Sequence, residues 1–147
     1  MSVCRAVILM MMMFLASPAF PGPLPDCADA DARHGDLLRM HINQYRRSNG
    51  LKPLVSDRKL VGIAADHSLY LCRKGILNHD NFHGRFRRAM RRVCVENVAR
   101  NYRSAYAEFM GWRSSPDHNI NLLDPDISRV GLARKGDYIT FFACTER

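Results

Sequence analysis

The chain has 147 residues, of which 47% are hydrophobic and 24% are charged. This length suits one domain with a single packed core, and the composition excludes both a disordered chain and a protein with several membrane spans. Lys and Arg number 22 against 14 Asp and Glu, which gives a formal net charge of +8 and favours anionic partners.

Residues 1–20 have the three-part layout of a secretory signal peptide. Arg5 supplies a positive charge, residues 6–16 form an unbroken apolar run, and small residues follow at 17–19. The apolar run is shorter than the ~20 residues that span a bilayer, although an uncleaved anchor is the alternative. We therefore predict a secreted protein, either periplasmic or extracellular.

The mature chain divides into a predicted linker at 21–34, which is rich in proline, and a predicted domain at 35–147. Apolar residues recur at helical spacing from Leu37, after Asp36 as a candidate N-cap, and this first helix ends at residues 48–50. A second helix is predicted from Ser56 as N-cap to Gly75 as the residue that ends it.

Strands mixed with short helices are predicted after a polar loop at 76–84. A short Arg-rich helix comes first, and residues 93–98 then alternate as a strand does. A helix around Phe109 ends at Pro116. The apolar runs 127–134 and 138–144 predict a hairpin. Helices followed by mixed elements indicate an α+β fold with a small antiparallel sheet. Residues predicted to lie in the core are Leu60, Ala64, Val95, Phe109, Trp112, Val130 and Phe141.

Four cysteines remain once the leader is removed: Cys27, Cys72, Cys94 and Cys144. An even set in a secreted domain usually forms disulfides, and the sequence permits three pairings. No CxxC spacing occurs, so neither a zinc ribbon nor a thioredoxin-type redox site is indicated.

Five segments together resemble the CAP superfamily, which includes cysteine-rich secretory proteins, venom antigens and pathogenesis-related proteins. The resemblance covers about residues 35–144. Glu96-Asn97-Val98-Ala99 is similar to the family's GENiA segment, and the stretch from Trp112 to Leu123 is similar to WxxSPxHxxNLL, its most specific match. The other matching residues are His41, Asn43, Tyr45, Arg46, Gly50, Leu51, Pro53 and Leu54 in the opening helix and loop, Asn78, His79, Asp80, Phe82 and Arg85 in the sHxxF segment, and Val130, Gly131, Leu132 and Ala133 in a late strand.

This resemblance implies an α-β-α sandwich with an open cleft that holds His79, Glu96 and His118, which we call the cleft trio. A second glutamate that many eukaryotic members carry just after the tryptophan is missing here, because Arg113, Ser114 and Ser115 follow Trp112.

The chemistry of the cleft trio allows two uses. Two neutral imidazoles, here His79 and His118, facing a carboxylate can bind Zn²⁺ or another divalent metal. The Glu96 carboxylate could instead act as a general base. We predict that Arg85, Asn97 and Asn121 support the cleft by fixing loops or orienting Glu96. Of the three possible disulfide pairings, we predict Cys72–Cys94 with Cys27–Cys144.

Seven arginines surround Glu96 in the sequence: Arg85, Arg87, Arg88, Arg91, Arg92, Arg100 and Arg103. Such a set is either a solvated face or a patch that binds an anionic lipid or a cell-wall polymer. No nucleic acid is expected, because the leader exports the chain and no aromatic residues alternate with the basic ones.

Two functions follow. The first is a non-catalytic binding module whose cleft holds a divalent metal, a lipid or an envelope component. The alternative is a metal-assisted or general-base hydrolase of peptidase type that uses the same cleft. Fold does not decide between them, but the missing second glutamate and the lack of a recognisable nucleophile favour the binding module.

Overall fold

The structure is a computed structural model that describes residues 26–28 and 32–146. The predicted signal peptide at 1–20 lies outside these residues. Five helices and four strands occur in the described part of the chain: α1 Ala32–Ser48, β1 Val55–Ser56, α2 Arg58–Lys74, α3 Phe82–Ala89, β2 Cys94–Arg100, α4 Ala105–Ser114, α5 Pro116–Leu122, β3 Arg129–Lys135 and β4 Tyr138–Cys144.

A four-stranded sheet in the order β1-β3-β4-β2 forms the middle layer. The predicted hairpin is confirmed as β3 and β4, and β2 runs antiparallel to β4. The sheet is nevertheless mixed rather than purely antiparallel, because the two-residue β1 pairs with β3 in parallel. All seven residues of β4 are buried, as expected for a central strand that is covered on both faces.

Helices cover both faces of the sheet, which confirms the predicted α-β-α sandwich. On one face Phe141 of β4 packs with Ile42 of α1 and Trp112 of α4. On the other face the next residue, Phe142, packs with Leu60 of α2. Adjacent residues of a strand point to opposite faces, so each face of β4 has its own core. Of the predicted core residues, all are buried except Val95, which is partly buried against the first cluster.

Helix α2 lies directly on β3 because Gly131 has no side chain. A Cβ atom at Gly131 would lie 2.1 Å from the carbonyl carbon and oxygen of Leu60. The glycine that the family resemblance picked out therefore permits close contact between helix and sheet.

Helix boundaries follow local capping, with two corrections. Helix α1 begins at Ala32, so the predicted N-cap Asp36 lies inside the helix, where it pairs with Arg39. Asp57, not Ser56, caps α2 by accepting hydrogen bonds from the amides of residues 59 and 60. The predicted end at Gly75 is confirmed, because Gly75 has φ 67° and its amide bonds back to the helix.

The loop between α1 and α2 is held by two buried polar side chains of α1. Asn43 donates to the Leu54 carbonyl at 2.9 Å and accepts from the Leu54 amide at 2.7 Å. Arg46 donates to four carbonyl oxygens and is fully buried. Those carbonyls belong to Lys52, Leu122, Asp124 and Ile127. Arg46 therefore ties α1 to both the loop and the end of α5.

Both disulfide pairings that we predicted are wrong, although all four cysteines are bonded. The bonds are Cys27–Cys72 and Cys94–Cys144. Cys94 and Cys144 lie opposite each other on β2 and β4, with Cα atoms 4.0 Å apart, which is within bonding reach. Residues 26–28, part of the predicted linker, are thereby attached to α2.

We predict that Arg46→Met lowers the free energy of unfolding by about 3 kcal/mol or more, because four carbonyl groups, two of them in buried hydrogen bonds, lose their donor. Urea unfolding at neutral pH measures this. Arg47→Met is the matched control, since Arg47 is the exposed neighbour on the same helix, and it should change stability by about 0.5 kcal/mol at most. Equal losses in the two variants would contradict this role of Arg46.

Candidate functional site

The Glu96 side chain lies beneath α2 and α3 rather than on an open surface. Glu96 is opposite Phe142 in the register of β2 and β4, so both side chains point to the sheet face that these two helices cover. Glu96 is only 5% exposed. A carboxylate placed there needs partners that replace water.

Arg85 of α3 supplies those partners. Its Nε atom donates to Oε2 of Glu96 at 2.6 Å, and its Nη2 atom donates to Oε1 at 2.7 Å. Arg85 is itself buried, and its Nη1 atom donates to the carbonyl of Asp80 at 2.6 Å. The pair is bidentate, the strongest geometry for an arginine and a carboxylate. It joins α3 to β2 and fixes the loop before α3.

His79 lies in that loop and contacts the same carboxylate. Its Nδ1 atom is 2.8 Å from Oε1 of Glu96. An ionised carboxylate only accepts hydrogen bonds, so Nδ1 of His79 donates a proton to this contact. The His79 side chain is 51% exposed. Glu96 therefore orients the His79 ring, whose Nε2 atom has no hydrogen-bond partner among the described residues.

His67 of α2 is a site residue that the sequence analysis missed. Its Nε2 atom is 3.6 Å from Oε1 of Glu96 and 3.1 Å from the carbonyl of Asn78, and the residue is 3% exposed. The carbonyl can only accept, so Nε2 carries the proton. The signal was present, because His67 follows Ala64 by three positions and precedes Leu71 by four, on the buried face of α2.

The charges of this buried group follow from its contacts. Burial raises the pKa of the Glu96 carboxyl, but hydrogen bonds from His79 and Arg85 and the charge of Arg85 outweigh burial, so its pKa lies below the usual value. Burial lowers the pKa of His67; the Glu96 charge opposes this and the Arg85 charge adds to it. At neutral pH Glu96 is therefore ionised and His67 is neutral.

His118 lies on α5, which docks against the free edge of β2. Asn97 donates to the carbonyl of His118 at 3.0 Å. Asn121 donates to the Glu96 carbonyl at 3.1 Å and to the Asn97 side chain at 2.8 Å. The Asn121 amide thereby pairs with a backbone carbonyl of the edge strand. Asn97 and Asn121 thus hold α5, and with it His118, beside β2.

Only two members of the cleft trio are in direct contact among the described residues. His79 binds Glu96 directly, whereas no hydrogen bond among the described residues joins the His118 ring to Glu96. Burial lowers the pKa of His118, and the nearby charge of His79 lowers it further against the opposing effect of Asp117. His79 and His118 are therefore electrostatic neighbours, and Glu96 lies behind His79.

The sequence and fold comparisons identify the family. The family described as Cysteine-rich secretory protein family, CAP, matches residues 40–145. This chain belongs to the CAP family. None of the curated proteins compared with it matches.

Solved structures share the CAP fold of this domain. An extracellular protein with an SCP domain from Bacillus anthracis has a TM-score of 0.74 at 21% identity over 78% of this chain and 41% of its own. A cysteine-rich secretory protein from Staphylococcus aureus gives 0.71 at 20% identity over 78% and 38%. An outer surface protein of Borrelia burgdorferi gives 0.73 at 17% identity over 82% and 98%. This chain thus spans about two fifths of the first two proteins and nearly all of the third.

Within the described residues of this CAP domain, no helix combines the length and the apolar character that crossing a membrane requires.

The predicted metal does not fit the donors of the described residues. No group of three or more His, Cys, Asp or Glu side chains there is placed to hold a metal ion, and zinc sites usually have at least three protein ligands. Both oxygens of Glu96 already bind Arg85. Only His79 and His118 remain as ligands, which is fewer than a zinc site usually has. The described geometry therefore gives zinc binding no support, and it stays a prediction of the sequence analysis.

The arginine set near Glu96 divides into paired and unpaired members. Arg85 binds Glu96, Arg88 binds Asp66 at 2.6 Å and Arg91 binds Asp57 at 2.7 Å. Arg100 contacts the hydroxyl of Tyr138. The three remaining arginines are exposed and have no carboxylate partner among residues 26–28 and 32–146; they are Arg87, Arg92 and Arg103.

Glu108, one turn before Trp112, belongs to a different group. Its Oε2 atom is 2.7 Å from Nε2 of His34 on α1. Burial raises the pKa of the Glu108 carboxyl, while His34 and Arg134 oppose this shift. Glu108 therefore does not replace the missing second glutamate of the family.

We predict that the protein loses stability as the pH falls from about 7.5 to about 5.5, partly because unfolded His67 takes up a proton near its ordinary pKa of about 6.5. Folded His67, with its lowered pKa, takes up its proton at a lower pH than the unfolded chain does. The unfolded state then binds more protons, so acid favours unfolding.

Urea unfolding across this range tests His67 through the variant His67→Gln. The variant should show a shallower pH dependence, by at most about 1.4 kcal/mol per pH unit. His83→Gln, at an exposed position of α3, should keep the original slope. Parallel curves for the original protein and His67→Gln would contradict a neutral buried His67.

Proposed function

We propose that this CAP domain is exported and acts as a non-catalytic binding module for an anionic polymer of the cell envelope. The observation that carries the proposal is the state of Glu96, which is buried and has both carboxylate oxygens bound to Arg85. The one acid of the cleft trio is thereby committed to holding the site together.

A general base needs an accessible lone pair and a pKa close to the working pH. Glu96 has neither, because its pKa is held below the usual value and the Arg85 guanidinium covers its oxygens. Removing Arg85 from the carboxylate would leave a buried charge unpaired, which is strongly unfavourable. The geometry therefore supports binding rather than proton abstraction by Glu96.

The groups left at the surface suit an anionic partner. Arg87 and Arg92 are exposed and lack carboxylate partners among the described residues. Free guanidinium groups bind carboxylates and phosphates in bidentate fashion. His79, whose side chain is 51% exposed, and the partly exposed His118 are further groups that can form hydrogen bonds. An anionic wall polymer offers many such ligands in series, so several weak contacts can act together.

Export rests on the predicted leader and on the two disulfides, which are typical of oxidising compartments. The Bacillus anthracis protein is described as extracellular and the Borrelia burgdorferi protein as an outer surface protein. These locations support the proposal that this chain also works outside the cytoplasm.

A second candidate, hydrolysis, is favoured by one observation. Glu96 fixes the His79 ring through Nδ1 and leaves Nε2 free, which is how a carboxylate orients a histidine general base. In this reading His79, not Glu96, would activate water. The described residues offer no obvious substrate clamp around His79, so we rank this function second.

We predict that purified wall teichoic acid, an anionic polymer, binds the protein and that higher salt weakens binding. The double variant Arg87→Gln/Arg92→Gln should bind about threefold to tenfold more weakly, since exposed charge contacts contribute little individually. Calorimetry measures both affinities. The matched control is Arg47→Gln/Arg73→Gln, which removes the same charge from exposed sites on α1 and α2 and should bind almost as the original protein does.

Equal weakening in both double variants would mean that only net charge attracts the polymer, and would contradict a specific surface. Binding to vesicles that contain phosphatidylglycerol, without binding to the polymer, would replace the polymer with a lipid surface. Turnover of a peptide or ester library that His79→Gln abolishes without unfolding would establish the hydrolase instead.

A further inference from the structure

A cavity of about 250 Å³ lies on the α2 side of the Arg85–Glu96 pair. It is bounded by α2, by the loop before α3 and by α3 itself, and its wall includes Asp66, Tyr70, Asp80, Asn81 and Arg88. His67 and Arg85 line it as well, so the cavity shares its floor with the buried group that holds the cleft trio.

The cavity is close to neutral, although the protein carries a net charge of +8. Arg88 is paired with Asp66 at 2.6 Å, and Arg85 is paired with Glu96. The remaining charge in the wall is the carboxylate of Asp80. An anionic ligand would therefore find no unpaired cation here and would be repelled by Asp80. The chemistry points to an uncharged ligand.

A flat aromatic surface forms one side of the cavity. The Tyr70 ring stacks on the His67 ring, with 6.0 Å between centroids and 12° between planes. His67 is buried and anchored to the Asn78 carbonyl, while Tyr70 is 37% exposed. A ring held in this way loses little further freedom when a ligand packs on it.

Hydrogen-bonding groups surround this surface. One oxygen of Asp80, Oδ2, accepts from Asn78, and the other has no partner among the described hydrogen bonds. Asn81 precedes α3 without using its side chain as a cap, and that side chain packs over Gly84. A carboxylate oxygen and a primary amide next to an aromatic face can accept from and donate to hydroxyl groups.

We infer that this cavity binds one uncharged sugar ring of an envelope glycan, with an apolar C–H face of the ring on Tyr70 and its hydroxyl groups on Asp80 and Asn81. A sugar ring combines an apolar face with a rim of hydroxyls, which is the combination that the cavity offers. The volume is slightly below the range of pockets for drug-sized ligands, which suits a single ring. This inference rests on the proposed function, because it names the part of an envelope polymer that would be recognised beside the charged surface.

The test titrates the purified full-length protein with uncharged oligosaccharides of N-acetylglucosamine and of glucose, and records chemical shifts by NMR. We expect at least one series to bind and to shift the signals of the Tyr70 ring. Tyr70→Ala should weaken binding at least about tenfold, since it removes an aromatic contact surface. Tyr70→Phe keeps the ring and should bind within about twofold of the original protein.

Tyr106→Ala is the matched control, because Tyr106 is an exposed tyrosine in a separate groove between α1 and α4. It should leave saccharide binding unchanged. If Tyr70→Ala fails to fold, the shifts of the Tyr70 ring in the original protein decide the question, since only contact at this cavity perturbs them selectively.

Three results would overturn the inference. Saccharide binding that Tyr70→Ala leaves unchanged would place the sugar elsewhere. Binding of teichoic acid without binding of either uncharged series would refute the sugar site and leave the proposed function standing. Failure of both kinds of ligand to bind would refute the inference together with the proposed function.

Discussion

The bidentate pair of Arg85 and Glu96 is the interaction on which the rest of the site depends. Glu96 faces the covered side of an edge strand, where an unpaired carboxylate would be very costly. Arg85 compensates the charge and, through the Asp80 carbonyl, also holds the loop that carries His79. One ion pair thus places a helix, a strand and a loop relative to one another. Replacing a buried ion pair with apolar residues is often neutral for stability, so we attribute to Arg85 and Glu96 mainly the placement of these three elements.

The edge strand β2 joins two differently built surfaces. On one face its Glu96 side chain supports His79 and, behind it, the cavity beside Tyr70. On its outer edge Asn121 and Asn97 attach α5, which brings His118 close. Of the seven arginines near Glu96 in the sequence, three have carboxylate partners and three are exposed without one among the described residues. In our proposal, the near-neutral cavity binds a sugar ring and the exposed arginines bind a charged group of the same polymer.

Local signals in the sequence predicted much of the fold. The end of α2 at Gly75 and the hairpin of β3 and β4 depend on neighbouring residues, so periodicity and turn chemistry were sufficient. The predicted disulfide pairing was wrong because pairing depends on strand register, and the register of β2 against β4 sets Cys94 opposite Cys144. The family resemblance predicted the residues of the cleft trio. It did not predict that Glu96 is buried, or that Arg85 and His67 both contact its carboxylate. The apolar spacing of α2 places His67 on the buried face, but this local pattern does not show which acid the histidine meets across the core.

The most direct measurement of the central claim is the titration of the Glu96 carboxyl carbon by NMR, in the original protein and in Arg85→Gln. The ordinary pKa of a glutamate is about 4.3. If Arg85 holds the carboxylate ionised, the Glu96 signal will titrate below that value. In a folded Arg85→Gln variant the pKa of Glu96 will be higher than in the original protein. A Glu96 that titrates above that value in the original protein would contradict the account, because the carboxyl group would then be free to exchange protons and Arg85 would not be its partner.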